Sequence, residues 1–214
     1  RQGRVWPRYS RQVHAIPRMD LDPSWTRFRA IDFGTRNPFV CLWSCLTGSR
    51  VILDDGRIIP EGSLVFYREH YQAEQTLKWH AARIHEAEGW EWDADRGEHV
   101  LPEGSAVEAI EMTWADPEDA AALMSLVRDY DVDAVPALKA VSDGIDKVSV
   151  RLQATEGGTV SMFFFDDLPN TLREVPGYVW ADGSRSSDAP NRPKKKNDHT
   201  CDCVRYTAMG ESRY

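Results

Sequence analysis

The sequence predicts an α/β fold: a mixed sheet of three antiparallel strands followed by parallel strands, flanked by helices. Three observations lead there. Strand-like runs follow one another between residues 27 and 71 with only turns between them, and helical and strand periods alternate beyond residue 72. Three carboxylates, Asp32, Asp116 and Asp198, also fall at the ends of separate predicted elements.

The first 26 residues carry Pro7, Pro17 and Pro23 among scattered aromatics, and read as an extended arm rather than regular structure. Residues 27–33 form a strand that ends at Asp32 and turns through Gly34 to Pro38; 39–46 is a second, largely apolar strand. Asp54-Asp55-Gly56 suits a hairpin, and 63–71, rich in Val, Phe and Tyr, is the third strand. A helix is expected over 72–88, where Ala73, Leu77, Ala81 and Ile84 recur at helical spacing, and a loop over 89–104. Residues 106–112 read as a strand, and Asp116-Pro117-Glu118-Asp119 as the start of a helix to Tyr130 with Ala120, Leu123, Met124 and Val127 inward.

A short strand at 134–137, a helix at 143–154 and a strand at 159–165 complete the alternation. The polar, proline-containing stretch 181–197 cannot bury a core and is expected to be a flexible basic loop. The last helix, 198–209, buries Cys201, Val204 and Ala208 and presents Asp198, Asp202 and Arg205 on the adjoining face. This order is that of the ribonuclease H fold. The domain reading is an arm at 1–26 and a ribonuclease H-like domain at 27–214. Neither a Gly-x-x-x-x-Gly-Lys-Ser/Thr nor a Gly-x-Gly-x-x-Gly motif occurs, which excludes those two phosphate-cradling loops.

With 214 residues and 42% hydrophobic content, the chain can bury one core. No run approaches the roughly 18 to 20 apolar residues of a membrane span, and residues 1–6 lack the apolar stretch of a signal peptide, so a soluble, unexported protein is expected. The start without Met suggests a domain excised from a longer chain. Cys41, Cys45, Cys201 and Cys203 lack Cys-x-x-Cys spacing, and His199, Cys201 and Cys203 would diverge around a helix, so reduced thiols are expected rather than a zinc site.

Net charge is −8, yet basic residues cluster. Arg1, Arg4, Arg8, Arg11 and Arg18 stand near the start, and Arg185, Arg192, Lys194, Lys195 and Lys196 run into Asp198. Such a run is usually a solvated loop; beside a metal site it becomes a guide for nucleic-acid phosphates, with His199 a further contact.

Each acid has a plain structural reading: Asp32 in a turn, Asp116 and Asp198 as helix caps. In this topology, however, the first strand, the fourth strand and the last helix converge on one edge. Oxygen ligands without Cys or His suit Mg²⁺ or Mn²⁺. Two such ions about 3.5 to 4 Å apart activate a water and stabilise the leaving oxygen of a phosphodiester, with Asp32 bridging them. Glu69 is a weaker candidate ligand. Asp54, Asp55, Asp93, Asp95, Asp166 and Asp167 read as turn, loop or strand-end residues facing water.

The runs Gly3 to His14, Ile31-Asp32-Phe33-Gly34-Thr35-Arg36-Asn37-Pro38 with Trp43, Ala115-Asp116-Pro117 and Asn197-Asp198-His199-Thr200-Cys201-Asp202-Cys203-Val204-Arg205-Tyr206 together resemble the nuclease domain of tailed-bacteriophage terminase large subunits. The last run departs from the usual pattern only at Cys203, where relatives often have Ala. The resemblance implies a metal-dependent endonuclease that cuts concatemeric viral double-stranded DNA during genome packaging. It further implies two Mg²⁺ or Mn²⁺ ions held by Asp32, Asp116 and the last helix, with Asp198 the favoured inner ligand and Asp202 supporting it. Partners by the same resemblance are an N-terminal ATPase domain, a small terminase subunit and the portal protein of the procapsid, all in the host cytoplasm. Two other readings compete: another ribonuclease H-like nuclease such as a junction resolvase, and a non-catalytic DNA-clamp or portal-docking module.

Overall fold

The computed structural model describes residues 3–181 and 192–213. In chain order its elements are α1 (Arg11–His14), β1 (Ala15–Ile16), β2 (Thr26–Asp32), β3 (Phe39–Leu46), β4 (Val51–Ile52), β5 (Ile58–Ile59), β6 (Leu64–Gln72), α2 (Leu77–Ala87), β7 (Glu91–Asp93) and β8 (Glu98–Val100). There follow β9 (Met112–Ala115), α3 (Ala120–Tyr130), β10 (Val135–Pro136), α4 (Val141–Leu152), β11 (Met162–Phe165), α5 (Pro169–Gly177) and α6 (His199–Gly210), then a 3-10 turn at Glu211–Arg213.

Seven strands form one sheet in the order β1-β11-β6-β3-β2-β9-β10. The β2–β3 and β3–β6 pairs are antiparallel and the rest parallel, the mixed ribonuclease H-like sheet that the sequence predicts. All of β3 except Leu46 is buried, so its continuous apolar run reflects cover on both sheet faces rather than one. Helices α4, α5 and α6 pack together and α6 lies on β2, β3 and β9, whereas α2 packs with α3. On β2, Arg29 turns toward α2 and bonds Glu88, while Asp32 bonds His199 of α6; side chains three residues apart leave a strand on opposite faces. Among the described residues no helix is long and apolar enough to cross a membrane.

Helix α6 departs from the expected single buried stripe. Every residue from Thr200 to Glu211 is buried, because the sheet lies on one side of the helix and α4 and α5 on others. Two glycines permit this density. A Cβ at Gly144 on α4 would stand 3.2 Å from Arg205 Cβ, and one at Gly210 would stand 2.0 Å from Cε2 of Trp114.

Elsewhere tertiary pairing shifts the expected elements. The N-terminal arm is not free of regular structure: α1 leads into β1, whose Ala15 and Ile16 pair with Phe164 and Phe165 at the sheet edge, and Val5, Trp6 and Tyr9 are core residues. Helix α2 begins only after its cap Thr76, since β6 continues to Gln72 opposite Phe39. Residues expected as a loop contain the β7–β8 hairpin. The fourth strand starts at Met112, not at 106, because Met112 to Ala115 is the stretch in register with Phe28 to Ile31. Glu108, within the expected strand, instead accepts bonds from Arg27, Arg68 and Tyr67.

Helix α3 is capped by Asp119, whose Oδ1 accepts from Ala122 N at 2.9 Å, so it starts after Asp116. Its inner face carries Leu123 and Leu126, leaving Met124 60% exposed and Val127 also exposed. Helix α5 has no counterpart in the expected series, since Pro169 and Pro176 mask its period.

His70 Nε2 and His80 Nδ1 stand 2.8 Å apart, with His80 stacked on Phe39. Burial holds both imidazoles near 4, well below their ordinary value. The unfolded chain therefore takes up protons from about pH 6.5 downward while the folded chain does not until about pH 4, so the pair's contribution to stability is lost as pH falls through that window. Imidazole NMR signals of His70 and His80 are expected to stay unshifted between pH 7.5 and about 5, and His80→Phe should reduce the acid sensitivity of the urea midpoint. A second expectation concerns Gly210→Ala: with Trp114 fixed in the core, the substitution should cost about 1–3 kcal/mol in denaturant unfolding, and Trp114→Leu should relieve part of that cost.

Candidate active site

The sheet register brings the first two acids together. Ile31 pairs with Ala115, and Asp116 N donates to Ile31 O at 2.9 Å, so Asp32 and Asp116 leave adjacent parallel strands at the same level. Both stand at the carboxyl ends of their strands, where open α/β sheets place ligands. Asp116 does not cap α3. Its Oδ1 accepts from Glu118 N at 2.9 Å, fixing the carboxylate within its own turn. Gly34 is required by the turn after Asp32: a Cβ there would stand 2.4 Å from the carbonyl oxygens of Asn37 and Pro38.

The start of α6 supplies the remaining acids. Asp198 occupies the N-cap position, yet its side chain makes no capping bond. That role belongs to Glu174 of α5, whose Oε2 accepts from Thr200 N at 2.8 Å and Thr200 Oγ1 at 2.9 Å, and whose Oε1 accepts from Tyr71 Oη at 2.6 Å. Asp198 is thus left to face the cleft. One turn on, Asp202 accepts from buried Arg205 through Oδ1 and from Lys195 Nζ through Oδ2 at 3.0 Å. His199 Nδ1 lies 2.8 Å from Asp32 Oδ2, tying α6 to the end of β2.

Asp32, Asp116, Asp198 and Asp202 line one cleft of about 660 Å³ together with His199, Lys139, Lys195, Lys196, Asn37, Tyr71 and Arg205. Burial pushes the Asp32 carboxyl up to about 6; the His199 bond opposes this, and the charges of Asp202 and Asp116 add to it. Asp116 and Asp198 are also raised, by burial first and by neighbouring carboxylates. His199 is raised by its bond to Asp32. Clustered carboxylates that resist ionising for these reasons are stabilised by a cation among them.

The donor set fits a hard cation. It consists of carboxylate oxygens, and Asp198 Oδ2 is buried with no hydrogen bond, facing the Lys195 ammonium at 3.4 Å. Among the described residues no three carboxylates, imidazoles or thiols are already drawn into one ligand group, and Lys195 stands between Asp198 and Asp202. The four cysteines are free and buried, and burial pushes their thiols up.

The other sequence candidates are distributed differently. Lys195 and Lys196 line the cleft, whereas Lys194 and Arg192 enter no ion pair among the described residues and are tied through backbone bonds to Val179 and Ala181. Arg185 and Arg1 lie outside the described residues. Arg18 of the N-terminal cluster pairs with Asp167, away from the cleft. Glu69 is not a ligand: its two oxygens accept from Asn170 and Thr171 at the start of α5. Sequence reasoning passed over Glu174, Tyr71 and Lys139. No local spacing marks the first two, because Glu174 meets α6, and Tyr71 meets Glu174, only through bonds between residues distant in sequence.

No family model matches the chain, and no curated protein does. Solved structures match over nearly all of it. The large terminase of a thermophilic bacteriophage superposes with a TM-score of 0.70 at 20% identity over 98% of this chain, which spans about half (46%) of that protein's length. The P22 large terminase nuclease domain gives 0.65 at 14% identity, covering 98% of this chain and 93% of its own. The large terminase nuclease of thermophilic phage G20c, solved with bound magnesium, gives 0.58 at 11% identity over 97% of both chains. The sheet order, the crossing of α6 and these superpositions agree that the chain has the ribonuclease H-like fold of large terminase nuclease domains.

Proposed function

We propose that this chain is a metal-dependent DNA endonuclease domain that cuts concatemeric viral DNA during genome packaging into procapsids. The observation that carries the reading is the convergence of Asp32, Asp116, Asp198 and Asp202, from β2, the turn after β9 and the start of α6, on one cleft of a terminase-type fold. Asp32, Asp116, Asp198 and Asp202 would hold two Mg²⁺ or Mn²⁺ ions, and the bound magnesium of the G20c nuclease supports that choice. When bound, such ions supply an activated water and stabilise the leaving oxygen of a phosphodiester.

The chain's own residues account for the rest. His199 orients Asp32 through the 2.8 Å contact, and the Asp116 turn holds its carboxylate level with it. Lys139, Lys195 and Lys196 rim the acids and offer ammonium groups to the phosphates on either side of the cut. In this reading the substrate is double-stranded DNA. The partners are an ATPase domain earlier in the same polypeptide, a small terminase subunit and the procapsid portal, all in the host cytoplasm.

Plasmid cleavage tests the proposal. With Mg²⁺ or Mn²⁺ the chain should nick and linearise supercoiled DNA, and chelator, Asp32→Ala or Asp116→Ala should each abolish cutting while the fold is retained. Preference for a four-way junction over linear duplex would instead favour a resolvase. Metal-independent DNA binding without cutting would favour a clamp module. The Glu174 cap generates a further expectation. Glu174→Ala leaves the Thr200 N–H buried and unpaired, and should lower unfolding stability by about 1–3 kcal/mol and reduce cleavage, with a smaller loss for Glu174→Gln.

A further inference from the structure

The basic run before α6 does not simply face solvent. Lys195 Nζ lies 3.0 Å from Asp202 Oδ2 and 3.4 Å from Asp198 Oδ2. The two carboxylate side chains are 9% and 7% exposed, whereas that of Lys195 is 73% exposed. Its stem is thus largely unpacked, and the contact is held mainly by charge at the mouth of the cleft.

The backbone beneath this side chain is fixed. Ala181 N donates to Arg192 O and Lys194 N to Val179 O, pinning the segment to the strand-like residues 179–181. Lys196 N donates to Lys194 O, and Asn197 takes a left-handed φ of 51° before the helix begins. The ammonium can therefore leave the carboxylates by side-chain rotation alone. Arg205, the other cation on Asp202, cannot: its side chain is 3% exposed and packed against α4.

We propose that Lys195 is a resident counter-ion of the Asp198–Asp202 pair, which a divalent metal has to displace. The inference rests on the metal-dependent reading above. An ammonium and a dication cannot share the same carboxylate oxygens without strong repulsion, so metal entry is an exchange rather than a simple addition. The Lys195 contact lowers metal affinity while the cleft is empty of DNA. An anion that captures the released ammonium, such as a backbone phosphate, raises metal affinity by the same factor that metal raises affinity for the anion. Metal loading and DNA capture are in this way tied together through one side chain.

Isothermal titration of Mn²⁺ into the DNA-free protein tests this, with the fold checked by circular dichroism. Lys195→Met should bind Mn²⁺ more tightly than wild type, by about three- to five-fold, as expected for loss of a competing exposed ion pair. Lys196→Met removes the same charge from the same cleft without a contact to the acids, and should leave the affinity nearly unchanged. Equal or weaker binding by Lys195→Met overturns the counter-ion role, as does equal tightening in both variants, which would reflect net charge alone. Absence of Mn²⁺ binding in wild type and both variants removes the metal-dependent reading and this inference together. That outcome is distinguishable from binding that Lys195→Met does not change.

Discussion

A helix without a solvent face has to satisfy its first-turn N–H groups from within the protein, and α6 meets that of Thr200 through a carboxylate on another helix. Glu174 takes the Thr200 N–H and hydroxyl with one oxygen and the Tyr71 hydroxyl with the other. Because the cap comes from α5, Asp198 keeps its side chain for the cleft although it occupies the position where Asp most often caps. Glu69, in turn, holds the start of α5. The two carboxylates form a relay from β6 to α5 to α6 that sets the position of Asp198 and Asp202.

The opposite sheet face is built around two further buried carboxylates. Glu88 accepts from Arg29 and the Trp43 indole, and Arg29 also donates to Thr113, joining α2 to β2, β3 and β9. Glu108 gathers Arg27, Arg68 and Tyr67 where the chain crosses toward β9. Removing one partner from such a network leaves a buried charge unpaired, so each network constrains geometry more than its net stability suggests. The strands that carry Asp32 and Asp116 are thereby fixed from below as well as by their own ladder.

The central strands were legible because β3 is a long, largely apolar run and β6 opens on Leu64-Val65-Phe66-Tyr67, with turn residues between them. The acids were legible for a related reason: Asp32 and Asp116 stand directly after the apolar pairs Ala30-Ile31 and Trp114-Ala115, a position at which a carboxylate is costly unless it serves something. Tertiary contacts decided the rest. Residues 106–112 have strand composition, but only Met112 to Ala115 find a partner in β2. Met124 and Val127 fit a helical stripe, yet the buried positions of α3, which packs with α2, are Leu123 and Leu126. Helix α5 carries two prolines, and Glu174 gains its role from Tyr71 and Thr200, far away in sequence. The basic run could be read as charge, but not as a lysine folded onto the acids.

Backbone bonds also join the first described residues to the mouth of the cleft. Val5 N donates to Tyr178 O and Trp180 N to Gly3 O, while residues 179–181 bind 192–194 on their other side. Residues 3–5, 178–181 and 192–194 thus behave as one narrow ribbon with Lys195 at its far margin. Residues 3–5 hold 178–180 through these bonds, and 179–181 in turn hold the backbone perch from which Lys195 reaches the acids. The setting of the cleft is mechanically continuous with a segment that contributes no side chain to it.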